Sequence, residues 1–177
     1  MPSSLNQRSH FTKSALAVLT TLMFCCLLLF TGCVQAQTTP DTLPDFTFFK
    51  LDGGVFNKQQ LSKSSHTIFI LFDCGCEHCQ RELVDIGKHY GDFKNVNFYL
   101  VTMDRKQEID KFMLSYGRYL NGKPNVFLLQ DKNMEFIPKF KPLRYPGIFV
   151  YSNTGKTLFS NSGTTPLKDI LAALAKG

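Results

Sequence analysis

Apolar and polar positions change their period along the 177-residue chain, and each change marks an element. Asp45 to Leu51 alternates and is aromatic, which predicts a strand closed by the turn Asp52-Gly53-Gly54. Val55 to Leu61 reads as a short second strand or turn. Thr67 to Phe72 is an unbroken apolar, β-rich run, the pattern of a strand buried on both faces, and Asn97 to Thr102 repeats it. Between these runs Cys79, Leu83, Ile86 and Tyr90 recur at helical spacing, with Gly87 weakening the helix near its end. Gln107 to Tyr119 predicts a second helix, with Ile109, Phe112, Met113 and Tyr116 on one side. Asn125 to Leu129 predicts a short strand, and Met134 to Phe140 a helical turn interrupted by Pro138. Ile148 to Tyr151 and Thr157 to Ser160 flank Ser152-Asn153-Thr154-Gly155, the pattern of a hairpin. Pro166 to Ala175 closes the series as an amphipathic helix carrying Leu167, Ile170, Leu171 and Leu174. Strands alternating with helices, then a hairpin and a last helix, predict an α/β fold. Its centre is a mixed β-sheet flanked by helices on both faces.

The N-terminus follows a different pattern. Residues 1–14 are polar and carry Arg8, His10 and Lys13, and Ala15 to Phe30 is apolar apart from Thr20 and Thr21. Small residues follow, which completes the layout of an export segment. Residues 1–36 are therefore expected to be a signal peptide or membrane anchor, 37–44 a linker, and 45–177 the folded domain. Three fates fit the segment. Val34-Gln35-Ala36 suits cleavage after Ala36. Leu29 to Cys33 resembles a bacterial lipobox, in which Cys33 is lipidated and becomes the new N-terminus. Residues 15–34 are uncharged and number 20, about the length a membrane-spanning helix needs, and the basic end would stay cytoplasmic. All three place the domain outside the cytoplasm, with the bacterial periplasm as the expected compartment.

Composition narrows the class. Hydrophobic residues make up 44% and charged residues 19%, which excludes a disordered chain. No internal repeat with a period of about 20–50 residues exists, which excludes solenoids and propellers. Of the 20 basic residues Arg8 and Lys13 lie in the export segment, leaving 18 against 14 acids, spread along the chain. No nucleic-acid partner is expected from that distribution. Cys25, Cys26 and Cys33 belong to the export segment, while Cys74, Cys76 and Cys79 crowd together. Structural disulfides in secreted domains close long loops, and this cluster closes none. Its purpose is chemistry.

Cys76 falls where a strand hands over to a helix, so its sulfur can sit among unpaired N–H groups at the positive end of the helix dipole, which favours a thiolate. Cys79, one turn later, lies on the same face and can attack a mixed disulfide formed at Cys76. His78, if protonated, would stabilise the thiolate and Glu77 would oppose it. Glu82 follows Cys79 by three residues, which brings its carboxylate toward that sulfur from the next turn; the bland reading is a solvated residue beside Arg81. A zinc site from the three thiols with His78 or His89 is the structural alternative. It would have to be built almost wholly from one strained loop, so the cluster reads as redox and no metal or cofactor is expected.

These elements together resemble the thioredoxin-like fold, and in particular the exported TlpA-type thiol-disulfide oxidoreductases. The resemblance runs from Phe46 to Leu174. It is carried by the entry from Phe46 to Gly53 with Phe56 and Leu61, by the buried strand leading into Cys76-Glu77-His78-Cys79, and by Tyr145-Pro146-Gly147 before the hairpin. It implies a redox-active Cys76–Cys79 disulfide, with Glu82 serving proton transfer at Cys79. It also implies a cis Pro146 packed against the sulfur pair, and Tyr145 offering backbone groups and its ring to an extended substrate. The implied partners are exported proteins with disulfides and a separate redox partner that resets the pair.

The chain departs from that family in three places. Gly75 stands where many relatives carry Trp, Phe72 where another is common, and Cys74 is an addition, either a third redox thiol or merely a small residue. Two other functions on the same fold are set against the leading one. A peroxiredoxin-like peroxidase needs a Thr three residues before its Cys, whereas Leu71 and Asp73 precede Cys74 and Cys76 at that offset. A copper-delivery protein of the Sco type needs a distant His, and none follows His89.

Overall fold

The computed structural model describes residues 39–177. The expectations for residues 1–36, including Cys33 and the span 15–34, lie outside the described residues.

The described strands are β1 (Thr47–Lys50), β2 (Val55–Asn57), β3 (His66–Leu71), β4 (Val96–Thr102), β5 (Val126–Gln130), β6 (Gly147–Tyr151) and β7 (Thr157–Ser162). They form one mixed sheet in the order β2-β1-β5-β4-β3-β6-β7. Strands β3, β4 and β5 run parallel, and β1, β6 and β7 are antiparallel to their neighbours. The helices are α1 (Glu77–Lys88), α2 (Lys106–Ser115), α3 (Phe136–Phe140) and α4 (Leu167–Leu174).

Side chains alternate across the three central strands, which sorts the core into two halves. Ile68, Ile70, Phe98, Leu100, Ile148 and Val150 face α1, α2 and α4. Phe69, Leu71, Tyr99, Val101, Phe149 and Tyr151 face α3 and the chain entry around Leu43 to Phe48. Helices thus cover both faces, as the sequence predicts. The second half is aromatic: Phe69 has its ring centroid 5.1 Å from Tyr99 and 5.3 Å from both Phe46 and Phe140. The abundance of Phe belongs to this packing.

Helix α2 is shorter than its sequence period suggests. It stops at Ser115 because the chain must turn to bring Leu120, which is fully buried, against α1. Two glycines permit the turn. A Cβ on Gly117 would stand 2.4 Å from Met113 Sδ, and one on Gly87 2.9 Å from Tyr119 Cβ. Gly87 is therefore a contact point for the following segment as well as a weak helix former. Pro138 does not interrupt α3, because the helix begins at Phe136 and places the proline in the first turn, where its missing N–H has no intrahelical partner to lose.

The carboxylate of Asp131, buried just ahead of α3, accepts from the N–H groups of Glu135 (2.9 Å) and Phe136 (2.7 Å). Asp131→Ala leaves both donors without a partner. It is expected to cost about 1–2 kcal/mol, read as a lower urea midpoint with an unchanged slope.

Residues 39–44, a linker on sequence grounds, lie against the β6–β7 hairpin. Leu43 is buried and donates its N–H to Gly155 C=O at 2.8 Å, and Thr157 donates to Asp41 C=O at 2.9 Å. One apolar side chain and two backbone–backbone bonds hold the segment.

Candidate active site

Strand register creates the site. Leu71, at the end of β3, stands opposite Val101 near the end of β4 and Gly147 at the start of β6. The segments beyond these residues therefore meet at one end of the sheet: Asp73 to Cys76, Met103 to Asp104, and Tyr145 to Pro146. The Tyr145–Pro146 peptide bond is cis, as the resemblance implies, and Pro146 is buried.

Cys76 is the N-cap of α1. Its backbone is extended (φ −81°, ψ 112°), and its Sγ accepts the N–H of Cys79 at 3.4 Å. A sulfur thus fills the capping position usually held by a hydroxyl or carboxylate oxygen. Asp73 frames the turn, its Oδ1 accepting from Gly75 N–H at 2.8 Å and its C=O from Cys76 N–H at 3.1 Å. Cys76 is half-buried, whereas Cys79 is fully buried one turn later among Leu83 and Ile86. Cys74, Cys76 and Cys79 are all free thiols. Burial pushes the Cys79 thiol up, and its contact with the Cys76 sulfur adds to the effect. The two cysteines are therefore asymmetric, one open at a helix terminus and the other shielded.

Asp104 escapes the sequence reading. Its Oδ2 accepts from the Cys74 N–H at 2.7 Å and from the Thr102 hydroxyl at 2.8 Å, and its C=O accepts from Gln130 Nε2 at 2.8 Å. Burial raises the Asp104 carboxyl, but the bonds from Cys74 and Thr102 outweigh it and hold the group below its ordinary range. The Cys74 thiol moves the other way: burial pushes it up, and the adjacent Asp104 carboxylate pushes it further. The local signal is Thr102 followed two residues later by an acid, which marks a turn and not its partner.

Glu82 is buried on the face of α1 that carries Cys79, not solvated beside Arg81. Burial raises its carboxyl to about 7, despite the Thr165 N–H that donates to Oε2 at 3.2 Å, and Asp85 contributes in the same direction. Glu77 and His78 are exposed and turn toward Arg81, at 3.5 Å and 3.1 Å, and His78 also lies 3.4 Å from the Thr164 hydroxyl. Neither side chain hydrogen bonds to a sulfur among the described residues. Tyr145 is half-buried, and its hydroxyl donates to Met103 Sδ at 3.9 Å. Burial raises that hydroxyl, with Asp73 and Asp104 adding to the shift. Pro146 C=O accepts from Gly163 N–H at 2.7 Å, while the main chain of Tyr145 bonds to no backbone group among the described residues.

His89 sits beyond the far end of α1, bonded to Asp85 C=O. Among the described residues no group of three or more His, Cys, Asp or Glu is placed to hold a metal ion.

The model of the AhpC/TSA family matches residues 39–158, and the chain belongs to that family. No curated protein matches. Among solved structures, a secreted Mycobacterium tuberculosis disulfide oxidoreductase homologous to Escherichia coli DsbE is 18% identical, with 75% of this chain and 96% of that one covered and a TM-score of 0.60. The thioredoxin domain of a Bacteroides vulgatus thiol-disulfide oxidoreductase is 21% identical, covering 80% and 98%, with a TM-score of 0.61. A peroxiredoxin-like protein from Aquifex aeolicus is 14% identical, covering 78% and 86%, also with a TM-score of 0.61. The fold is thioredoxin-like.

Proposed function

We propose that this AhpC/TSA-family chain is an exported thiol-disulfide oxidoreductase that exchanges disulfides with other extracytoplasmic proteins through Cys76 and Cys79. The observation that carries the reading is the half-buried Cys76, whose sulfur caps α1, with a buried second thiol one turn behind it. The Cys76 thiolate attacks one sulfur of a substrate disulfide and expels the other as a thiolate, forming a mixed disulfide. Cys79 then gives its proton to the Glu82 carboxylate and attacks the Cys76 sulfur. The second substrate sulfur leaves and the Cys76–Cys79 bond forms. Two electrons pass to the substrate, and a separate redox partner must return them. Tyr145 supports the binding step, since its segment reaches the same end of the sheet as the cysteines and its main chain bonds to no backbone group among the described residues, which suits an extended peptide. Export rests on the basic, apolar and small-residue order of residues 1–36.

Membership in a family that includes peroxiredoxin-like folds raises a peroxidase as the second reading. The side chains three residues before Cys74 and Cys76 are Leu71 and Asp73, and neither offers a hydroxyl to position a peroxide. The full-length dithiol protein should reduce an unfolded disulfide-bonded protein, with one Cys76–Cys79 bond formed per substrate disulfide lost. Hydrogen peroxide should be consumed far more slowly. Rapid peroxide turnover without thiol exchange would favour the peroxidase.

A further inference from the structure

We propose that Asp104 is a positioning residue that keeps Cys74 out of disulfide exchange, so that Cys76 pairs with Cys79 rather than with the thiol two residues before it. The inference rests on the exchange reading above. The hazard is built into the sequence. Residues two apart have Cα atoms roughly 5–7 Å apart, within or close to the range a disulfide spans. Once Cys76 and Cys79 are joined, a Cys74 thiolate can attack the Cys76 sulfur and expel Cys79 as a thiolate, which takes up the proton that Cys74 gave away. No electrons are gained or lost, and the pair is diverted into a Cys74–Cys76 bond.

The structure holds Cys74 from both sides. Its N–H is fixed to Asp104 Oδ2 at 2.7 Å, and its C=O accepts from Gln80 Nε2 on α1 at 3.2 Å. Asp104 is itself tied down, because the Thr102 hydroxyl donates to the same Oδ2, the Asp104 N–H returns to Thr102 Oγ1 at 3.1 Å, and Gln130 holds its C=O. Gln130 closes β5 and Thr102 closes β4, so Asp104 is tied to two parallel strands, its carboxylate through Thr102 and its main chain through Gln130. The Cys74 thiol faces this carboxylate and stays protonated, with Asp73 and Glu108 adding negative charge nearby. A residue that the sequence offers as a third redox thiol is thereby held silent, leaving Cys79 as the resolving partner.

The test uses the full chain with Cys25, Cys26 and Cys33 replaced by Ser throughout, so that only the three site thiols report. Each variant is equilibrated in a glutathione redox buffer, free thiols are alkylated, and disulfides are mapped by mass spectrometry. The parent should carry Cys76–Cys79 with Cys74 alkylated. In Asp104→Ala the Cys74–Cys76 fraction should rise about tenfold, the scale of one lost charge-assisted hydrogen bond, and exchange with substrate should slow. Adding Cys74→Ser to Asp104→Ala should restore the parental exchange rate. Parental pairing in Asp104→Ala overturns the proposal, as does slow exchange that persists in the double variant, which would mark Asp104 as merely structural. If Asp104→Ala does not fold, Thr102→Val removes one bond to the same carboxylate and must shift the pairing in the same direction; unchanged pairing there overturns the proposal too. A parent that never forms Cys76–Cys79 sinks the exchange reading itself, an outcome visible before any variant is made.

Discussion

Replacing Cys79 by Ser will stop turnover and leave Cys76 covalently joined to its partner protein. The two sulfurs have different surroundings, and the step lost follows from the difference. Cys76 is half-buried, and its sulfur caps the helix N-terminus by accepting the Cys79 N–H. Cys79 is wholly buried and can meet only what is already bound at Cys76. A serine hydroxyl in its place cannot resolve the mixed disulfide, so adducts should accumulate while turnover falls by more than about a thousandfold, as when a nucleophile is removed elsewhere. Cys76→Ser should lose turnover equally and form no adduct. Adducts are read as dithiothreitol-sensitive bands on a non-reducing gel and identified by mass spectrometry. Because Asp104 keeps Cys74 from standing in for Cys79, Cys74→Ser should leave the trapped yield unchanged. Adducts through Cys79 in Cys76→Ser would reverse the assignment.

The sequence shows the parts of this site that are local and hides those assembled by the sheet. Thr67 to Phe72 and Asn97 to Thr102 are legible because a strand buried on both faces has no polar side, and β3 and β4 match them closely. The Cys76–Cys79 spacing is legible because one helical turn joins them. Asp104 is not, since its bond to Cys74 spans 30 residues and depends on β3 lying parallel to β4. Thr165 meets Glu82 across 83 residues, from a loop that no periodicity singles out. The end of α2 is hidden for a related reason. Tyr116 and Tyr119 continue the helical period, but the contact of Tyr119 with Gly87 that turns the chain away belongs to tertiary packing. Glu77 and His78 adjoin Cys76 in sequence, yet the helix carries both side chains outward to Arg81.

Glu82→Gln should make the protein more stable as pH rises above about 4.5, and less active above about 7. Burial lifts the carboxyl to about 7 from an ordinary 4.5. As pH rises through that window, the unfolded chain gives up a proton that the folded chain keeps, so the native state loses stability; the loss is complete above pH 7 and absent below pH 4.5. Gln removes the titration and still offers an oxygen to the Thr165 N–H. Discounted for partial access of water, the gain at pH 8 is about 2 kcal/mol, read by urea unfolding, and none is expected at pH 4. Activity moves the other way. A carboxylate that ionises near 7 can take the Cys79 proton as that thiol attacks Cys76, so the exchange rate should rise with pH through an inflection near 7. Gln cannot take the proton, so the inflection should disappear and the rate above it fall about a hundredfold. A merely structural carboxylate would change stability and leave the pH profile intact. Loss of stability at pH 8 would instead show that Glu82 is held ionised by partners that outweigh its burial.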